Sequence, residues 1–507
     1  MNQSELERMI ALEKRIREIA EEFGLLTADI IFEVVPAQRL MEGMAYRFPS
    51  NFSHWSFGRD YDKYKTIYHY TGTGLPYEQV WNFEVPRALI METNPFALKI
   101  LVIAHVYGHV DYFLGNRYTK QGRIFSDLAE EARNAATRFR GYESRYGKEE
   151  VEQTIDAGMS IQWQQHPDSF FEEELDNEAA RERLLELEQA KLESTKDFYS
   201  EFKKPETKQD IKKIEKKLHW LAHNNPPQPV YDLLGYVIRY SSALKPWQRD
   251  VLTVIRNQAR SLAPISRTKM ANEGWASFWH TRIMRRLFEE RLLTPEEHGV
   301  FLDFQSKVLQ THKMDFNWYS IGIAIFEHIK ESWNKGRFGR EYEDCKDYIK
   351  KAYWDTNAGL GTQKIFEVRS CCSDRMIVEQ FFTDEFIHEN QLYFYEEAED
   401  PFTGDTVYVI TEDRPEVIRE ALKHFFVLYG IQPIVITNSN YGRRQELYMT
   451  HLHSGVDLDP QYRDGTLKNL YFLWGNEVYL ETVIDGKQAL VWYDGEKHGE
   501  DKKNKKK

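Results

Sequence analysis

Two histidines four residues apart interrupt an otherwise apolar run, LVIAHVYGHVDYF, at residues 101–113. On a helix such positions share a face, so the imidazoles of His105 and His109 point the same way and can ligate one ion. Gly108 removes a side chain beside them and admits a neighbouring backbone, while Asp111 falls off that face, as a supporting residue of the centre or a cap at the helix end. The residue after the first histidine is Val106, not the glutamate of the HExxH zinc-protease helix, so a carboxylate has to come from elsewhere. The stretch KMANEGWASFWHTRIM, residues 269–284, supplies one. Glu273 and His280 are seven apart, close to two helical turns, and also share a face. Burying both unpaired in so aromatic a helix is costly. One helix offering His105 and His109 and another offering Glu273 and His280 make a four-ligand centre, or a three-ligand centre with Glu273 as general base. The nitrogen and oxygen donors suit zinc, iron or manganese. The competing reading is structural: core histidines bonded to carbonyls, and a buried Glu–His hydrogen bond that fixes two helices.

Other constellations are sparser. In FSHWSFG, His54 beside Trp55 and Gly58 can line a pocket, although a loop cluster of aromatics is more often packing. In KPWQRD, Asp250 stands at a helix start, where the dipole favours an acid. DEFIH holds Glu385 and His388 at the E-x-x-H spacing of carboxylate-bridged di-iron helices, which need two such copies. THLHSGVD puts His451 and His453 on one face of a strand, read as surface imidazoles on a sheet edge. No GxGxxG, Walker loop or GxSxG elbow is present.

The elements that must position these groups read as an α+β protein, a mainly helical body followed by a small C-terminal α/β domain. A first helix runs from a Ser4/Glu7 capping box to Gly24, with Leu6, Ile10, Ile16, Ile19 and Phe23 near one face. Short strands are predicted at IIFEVV and KTIYHY, with the aromatic loop RFPSNFSHWSFGRDY between them. Asn94-Pro95 opens the histidine helix, which runs to Gly115, and residues 125–165 read as helical. The resulting division is 1–171 (histidine helix), 172–229 (charged helix and linker), 230–364 (NEGWASFWH helix, packed on the first part), 365–493 (α/β domain) and 494–507 (disordered basic tail). In the α/β domain TVYVIT, QPIVIT, ELYMTHL and EVYLETV read as strands, and RPEVIREALKHFFVLYG and YRDGTLKNLYFLWG as helices.

Composition narrows the function classes. At 507 residues the chain is too long for one core. A net charge of −13 argues against general nucleic-acid binding, because an acidic surface repels phosphate backbones. Three cysteines, two of them adjacent, make no disulfide framework and fit a reducing cytoplasm. No basic-then-apolar leader pattern and no uninterrupted span-length apolar run are seen, so a soluble cytoplasmic protein without a membrane span is expected.

FSHWSFG, VIAHVYGHVDYF, PWQRD, NEGWASFWH and HSGVDLD with TLKNLYFLWG occur in this order over nearly the whole chain. Together they resemble the stage V sporulation protein R (SpoVR) family, whose motif positions are here His54, His105, His109, Asp111, Asp250, Glu273 and His280. The stretch WNFEVPRALIMETNP departs from the family's pattern. The resemblance implies a role in forming the spore cortex, a modified peptidoglycan. By analogy with neighbouring genes it also implies a serine protein kinase or a von Willebrand-like protein as partner. Two readings compete: a metal-dependent hydrolase-type enzyme, and a non-catalytic scaffold or regulator that binds partner proteins.

Overall fold

The computed structural model describes residues 3–46, 52–71, 78–122, 128–165, 176–197, 205–399, 404–428 and 430–502. Its α+β class is as expected, a helical body with a small C-terminal sheet. Contacts group the chain into two units, Met1–Ala136 with Arg260–Gly430, and Thr137–Ala259 with Ile431–Lys507.

The core of the first unit is laid around the helix Phe96–Gly115, the histidine helix, in which every residue from Ala97 to Phe113 is buried. Among the described residues it is the one helix long and apolar enough to cross a membrane, and 94% of that window is buried within the protein, as a core helix is. The helix Gln3–Glu22 packs on it through Met9, Leu12, Ile16 and Ile19, whereas Ile10 faces solvent. Gly24, at φ +83°, ends that helix in the left-handed region where glycine is favoured.

On its other side lies the helix Lys269–Glu289, the tryptophan helix. A Cβ on Gly108 would come within 2.6 Å of Ala276 Cα. One on Gly274 would come within 2.4 Å of Gly322 Cα, in the helix Trp318–Asn334. Three helix backbones are thus in near contact in a row. A small sheet borders them: β1 (Ile31–Val35), β2 (Glu78–Trp81) and β3 (Arg87–Met91), in the order β1-β3-β2, with β1 parallel and β2 antiparallel to β3.

Several expectations are corrected. KTIYHY is not a strand; Trp55–Thr71 is one helix. Phe57, Tyr61, Tyr64 and Tyr68 recur at spacings of four, three and four, a helical period that a six-residue window does not reveal. The charged region is not a helix and linker but two helices, Asn177–Asp197 and Pro205–His223, packed together, with Glu188 accepting from Lys191 at 2.9 Å and Lys217 at 2.7 Å. Residues after 365 do not open the C-terminal domain. The helices Gly361–Cys371, Asp374–Phe381 and Asp384–Glu389 bury Ile365, Val368, Ile377 and Phe386 in the core of the histidine helix. The ribbon of β4 (Phe394–Glu399) and β5 (Thr406–Glu412) and the helix Pro415–Leu428 follow in the same unit.

The second unit carries a five-stranded sheet, β6 (Ile434–Tyr441), β7 (Glu446–His451), β8 (Val478–Ile484), β9 (Lys487–Tyr493) and β10 (His498–Lys502), in the order β10-β9-β8-β7-β6. The helix Pro460–Trp474 packs on β8 and β9. The expected basic tail begins instead as strand β10, and residues 503–507 lie outside the described residues. β7 is interior to the sheet, so His451 is buried and bonds Thr482 Oγ1 at 2.9 Å, not exposed on an edge.

Two outcomes follow for stability. Gly274→Ala is expected to destabilise by about 1–3 kcal/mol or more, because it drives a methyl into backbone. Gly141→Ala, where a Cβ meets nothing within 4 Å, should stabilise by about 0.5–1 kcal/mol. Chemical denaturation of the two variants reads both. Burial, with His453 adding and Asp457 opposing, holds the His451 imidazole down at about 4 against an ordinary 6.5. The unfolded chain therefore binds the extra proton first. The stability due to His451 is full above about 6.5 and is lost as pH falls from there towards about 4. The unfolding midpoint should fall less steeply across that window in His451→Gln.

Candidate metal centre

The close approach of the histidine and tryptophan helices at Gly108 and Ala276 lets their side chains reach a common point. Glu273 Oε2 lies 3.5 Å from His105 Nε2 and 3.5 Å from His109 Nε2. Donors held at ~2.1 Å by one tetrahedral ion stand ~3.4 Å apart, so this is the separation of atoms that share a ligand sphere. Glu78, delivered by β2, brings Oε1 to 3.9 Å from His105 Nε2. Glu78, His105 and His109 offer three ligand atoms within 4.8 Å of one another. The imidazoles are buried, but both carboxylate side chains keep 18% exposure, so solvent reaches the centre from the carboxylate side.

The rings are held by their other nitrogens. His109 Nδ1 is 3.0 Å from Asn272 Oδ1, which can only accept, so the proton sits on Nδ1 and the lone pair on Nε2. His105 Nδ1 is 2.8 Å from His280 Nδ1. Burial, with His105 and His109 adding, keeps His280 well below its ordinary pKa, so it is neutral and shares one proton with His105 between the two Nδ1 atoms. With the proton on His105 Nδ1, both helix histidines turn a bare Nε2 towards Glu273. Metal-ligating imidazoles are oriented in the same way, by a hydrogen bond from the far nitrogen. His280 consequently stands behind His105 rather than beside it.

Two lone pairs aimed at a carboxylate repel unless a positive charge lies among them. Glu273 Oε2 is buried with no hydrogen-bond partner; at 3.5 Å the imidazoles are in ion-pair range only. Burial alone would raise the Glu273 carboxyl, but His109 and His105 outweigh it and hold it below the usual carboxylate range. Burial alone would lower His109, but Glu273 outweighs it and the imidazole is raised. Without a cation the centre therefore favours a proton at His109 more than a free imidazole would. Glu78 is raised, chiefly by burial, with Glu273 adding and His105 opposing.

Three residues of the centre were not read from the sequence: Asn272, which stands beside Glu273 in NEGWASFWH, Glu78 and Tyr319. Glu78 sits in a four-residue strand with no pattern to mark it. Tyr319 enters from the first turn of the helix Trp318–Asn334; its ring lies 6.5 Å from that of His105, and its hydroxyl is within the influence of the Glu273 carboxylate. Burial and the two carboxylates raise its pKa, so it remains a neutral donor.

The remaining candidates lie elsewhere. Asp111 points away from the histidines: it accepts from Leu26 N and Trp275 Nε1, both at 2.7 Å, and pairs with Arg369 at 3.2 Å. Burial raises its pKa and Arg369 opposes. His54 Nδ1 is 2.7 Å from Ser56 Oγ, and its ring packs on Trp55 and Phe57. Asp250 belongs to the other unit, where it accepts from Arg138 at 2.8 Å and Tyr142 at 2.9 Å. His388 bonds Tyr393, not a second E-x-x-H copy.

Residues 3–430 match the family described as SpoVR like protein, and residues 433–485 match the family described as SpoVR-like C-terminal domain. The change from one match to the other falls at the last of the three points where the chain passes between the units, while residues 137–259 of the second unit lie within the first match. "Uncharacterized protein YcgB" of Escherichia coli (strain K12) is 25% identical over 485 residues, which cover 92% of this chain and 90% of that protein. No solved structure matches the chain.

Asp111→Ala should destabilise the protein by about 3–5 kcal/mol, because it leaves Arg369 buried without its counter-charge. Asp111→Asn should be milder. Denaturation with parallel metal analysis is the check, and refolded protein should retain whatever metal the wild type holds.

Proposed function

The chain belongs to the SpoVR-like protein family, and from that membership and the geometry of the centre we propose that it is a metal-dependent enzyme of hydrolase type that acts in spore cortex formation. The carrying observation is the pair of imidazoles, each anchored at Nδ1, whose Nε2 atoms face an unpartnered carboxylate oxygen at 3.5 Å. In this reading His105, His109 and Glu273 hold a divalent zinc, iron or manganese ion, and His280 and Asn272 orient the two imidazoles. Bound there, such an ion supplies Lewis acidity and a more acidic water.

The general-base role expected of Glu273 passes to Glu78. Glu273 is kept ionised between two imidazoles, as a ligand should be, whereas Glu78 has raised proton affinity and stands a step further out. Tyr319, a neutral phenol, lies within the influence of Glu273. The three free thiols support a cytoplasmic site of action, and hence a cortex precursor or a protein as substrate. A serine protein kinase or von Willebrand-like partner rests on family analogy alone.

The scaffold reading draws on one specific observation: a protonated His109 and an ionised Glu273 neutralise each other without an ion. Metal analysis of the purified protein separates the two. The enzyme reading expects about one equivalent of metal, a melting temperature lowered by chelation, and loss of the metal in His105→Ala and Glu273→Gln but not in Glu78→Gln. Metal-free protein, with a large fall in melting temperature for each variant, would instead establish the scaffold.

A further inference from the structure

β4 and β5 form a sheet of two strands, and among the described residues no strand pairs with the outer edge of β5. A two-stranded ribbon is marginal by itself. This one is tied to its unit through Phe394, which packs on the core beside Phe316. β5 is left bare. Tyr408, Val409 and Ile410 are consecutive, so they occupy both faces of the strand, and they are 49%, 48% and 47% exposed. From Thr406 to Thr411 the strand has no charge, no proline and no glycine. Natural edge strands carry such features to prevent pairing with other chains. An edge that lacks them, with valine, isoleucine and tyrosine in place, is built to be paired.

Charge selects the occupant. From Phe394 to Arg414 every charged residue except Arg414 is acidic. Glu396, Glu397 and Glu399 are exposed on β4, and Asp405 and Asp413 bracket β5. Arg414 is engaged by Glu412 at 2.8 and 2.6 Å, and Lys313 Nζ lies 3.4 Å from Tyr395 Oη on β4, away from the open edge, so Asp405 and Asp413 remain as the acids at the ends of β5. A second copy of this acidic chain would bring like charges to both ends of the shared edge. A strand with lysine or arginine at its ends would meet carboxylates there and an uncharged edge between them.

We propose that the open edge of β5 docks an extended, Lys/Arg-flanked segment of a partner protein as a third strand of the ribbon. Backbone hydrogen bonds give the affinity, and the flanking acids choose the partner. The surface is independent of the metal centre, so either proposal can fail without the other.

The test uses the full-length protein and two labelled peptides with one core of alternating valine and threonine, flanked by lysine pairs or by glutamate pairs. Fluorescence anisotropy should show the lysine peptide binding at least about tenfold more tightly, with an advantage that shrinks as salt rises. Hydrogen exchange should show new amide protection over residues 406–412. Asp405→Lys/Asp413→Lys, changed at the exposed acids that bracket β5, should reduce or reverse the preference with the melting temperature unaltered. The proposal is overturned if neither peptide binds, if both bind equally, or if protection appears elsewhere. It is equally overturned if peptide-free protein self-associates with concentration and protects 406–412, which would assign the edge to a second copy.

Discussion

Everything at the centre depends on helix backbones that meet without side chains between them. At Gly108 against Ala276, and again at Gly274 against Gly322, a methyl group would strike main-chain atoms. Removing those side chains brings the histidine helix, the tryptophan helix and the helix Trp318–Asn334 into one closely packed row. Short side chains such as glutamate and histidine can then converge from separate helices within a few ångströms. A wider spacing would leave His105 and Glu273 in range of water but not of each other.

That closeness imposes an electrostatic condition which two faces of the histidine helix meet differently. Asp111 is satisfied on one face, with two hydrogen-bond donors and Arg369 as counter-charge. Two and six residues earlier, on another face, His109 and His105 have their Nδ1 atoms satisfied while their Nε2 atoms face a carboxylate oxygen with no hydrogen-bond partner. A buried polar group left this way is expensive in a finished structure.

The second unit and the β4–β5 ribbon show the same logic at larger scale. His451 Nδ1 in the interior strand β7 and Glu188 between the paired charged helices Asn177–Asp197 and Pro205–His223 are answered internally. The outer edge of β5 is not, and the acids around it are directed to solvent.

Periodicity made the long elements legible. The i,i+4 histidines, the Glu273/His280 pair, the histidine helix from Asn94-Pro95 to Gly115 and the strands β6, β7 and β8 of the C-terminal sheet follow from local residue order, whereas β9 and β10 do not. The convergence of the two motif helices follows too, because buried Glu and His need partners. Which side of the ligand ring each residue takes was not legible. His280 lies behind His105, Asp111 turns to Arg369 and Trp275, and Asp250 joins the other unit, although all three share motif-like contexts. Glu78 and Tyr319 left no trace in the sequence, since one comes from a four-residue strand and the other from a first helical turn. The boundary expected at 365 lay after 430 instead, because the helices between bury apolar residues in the first core. Local order determines which residues share a face of one element; which faces meet is decided by packing between elements distant in sequence, and only the tertiary structure carries that.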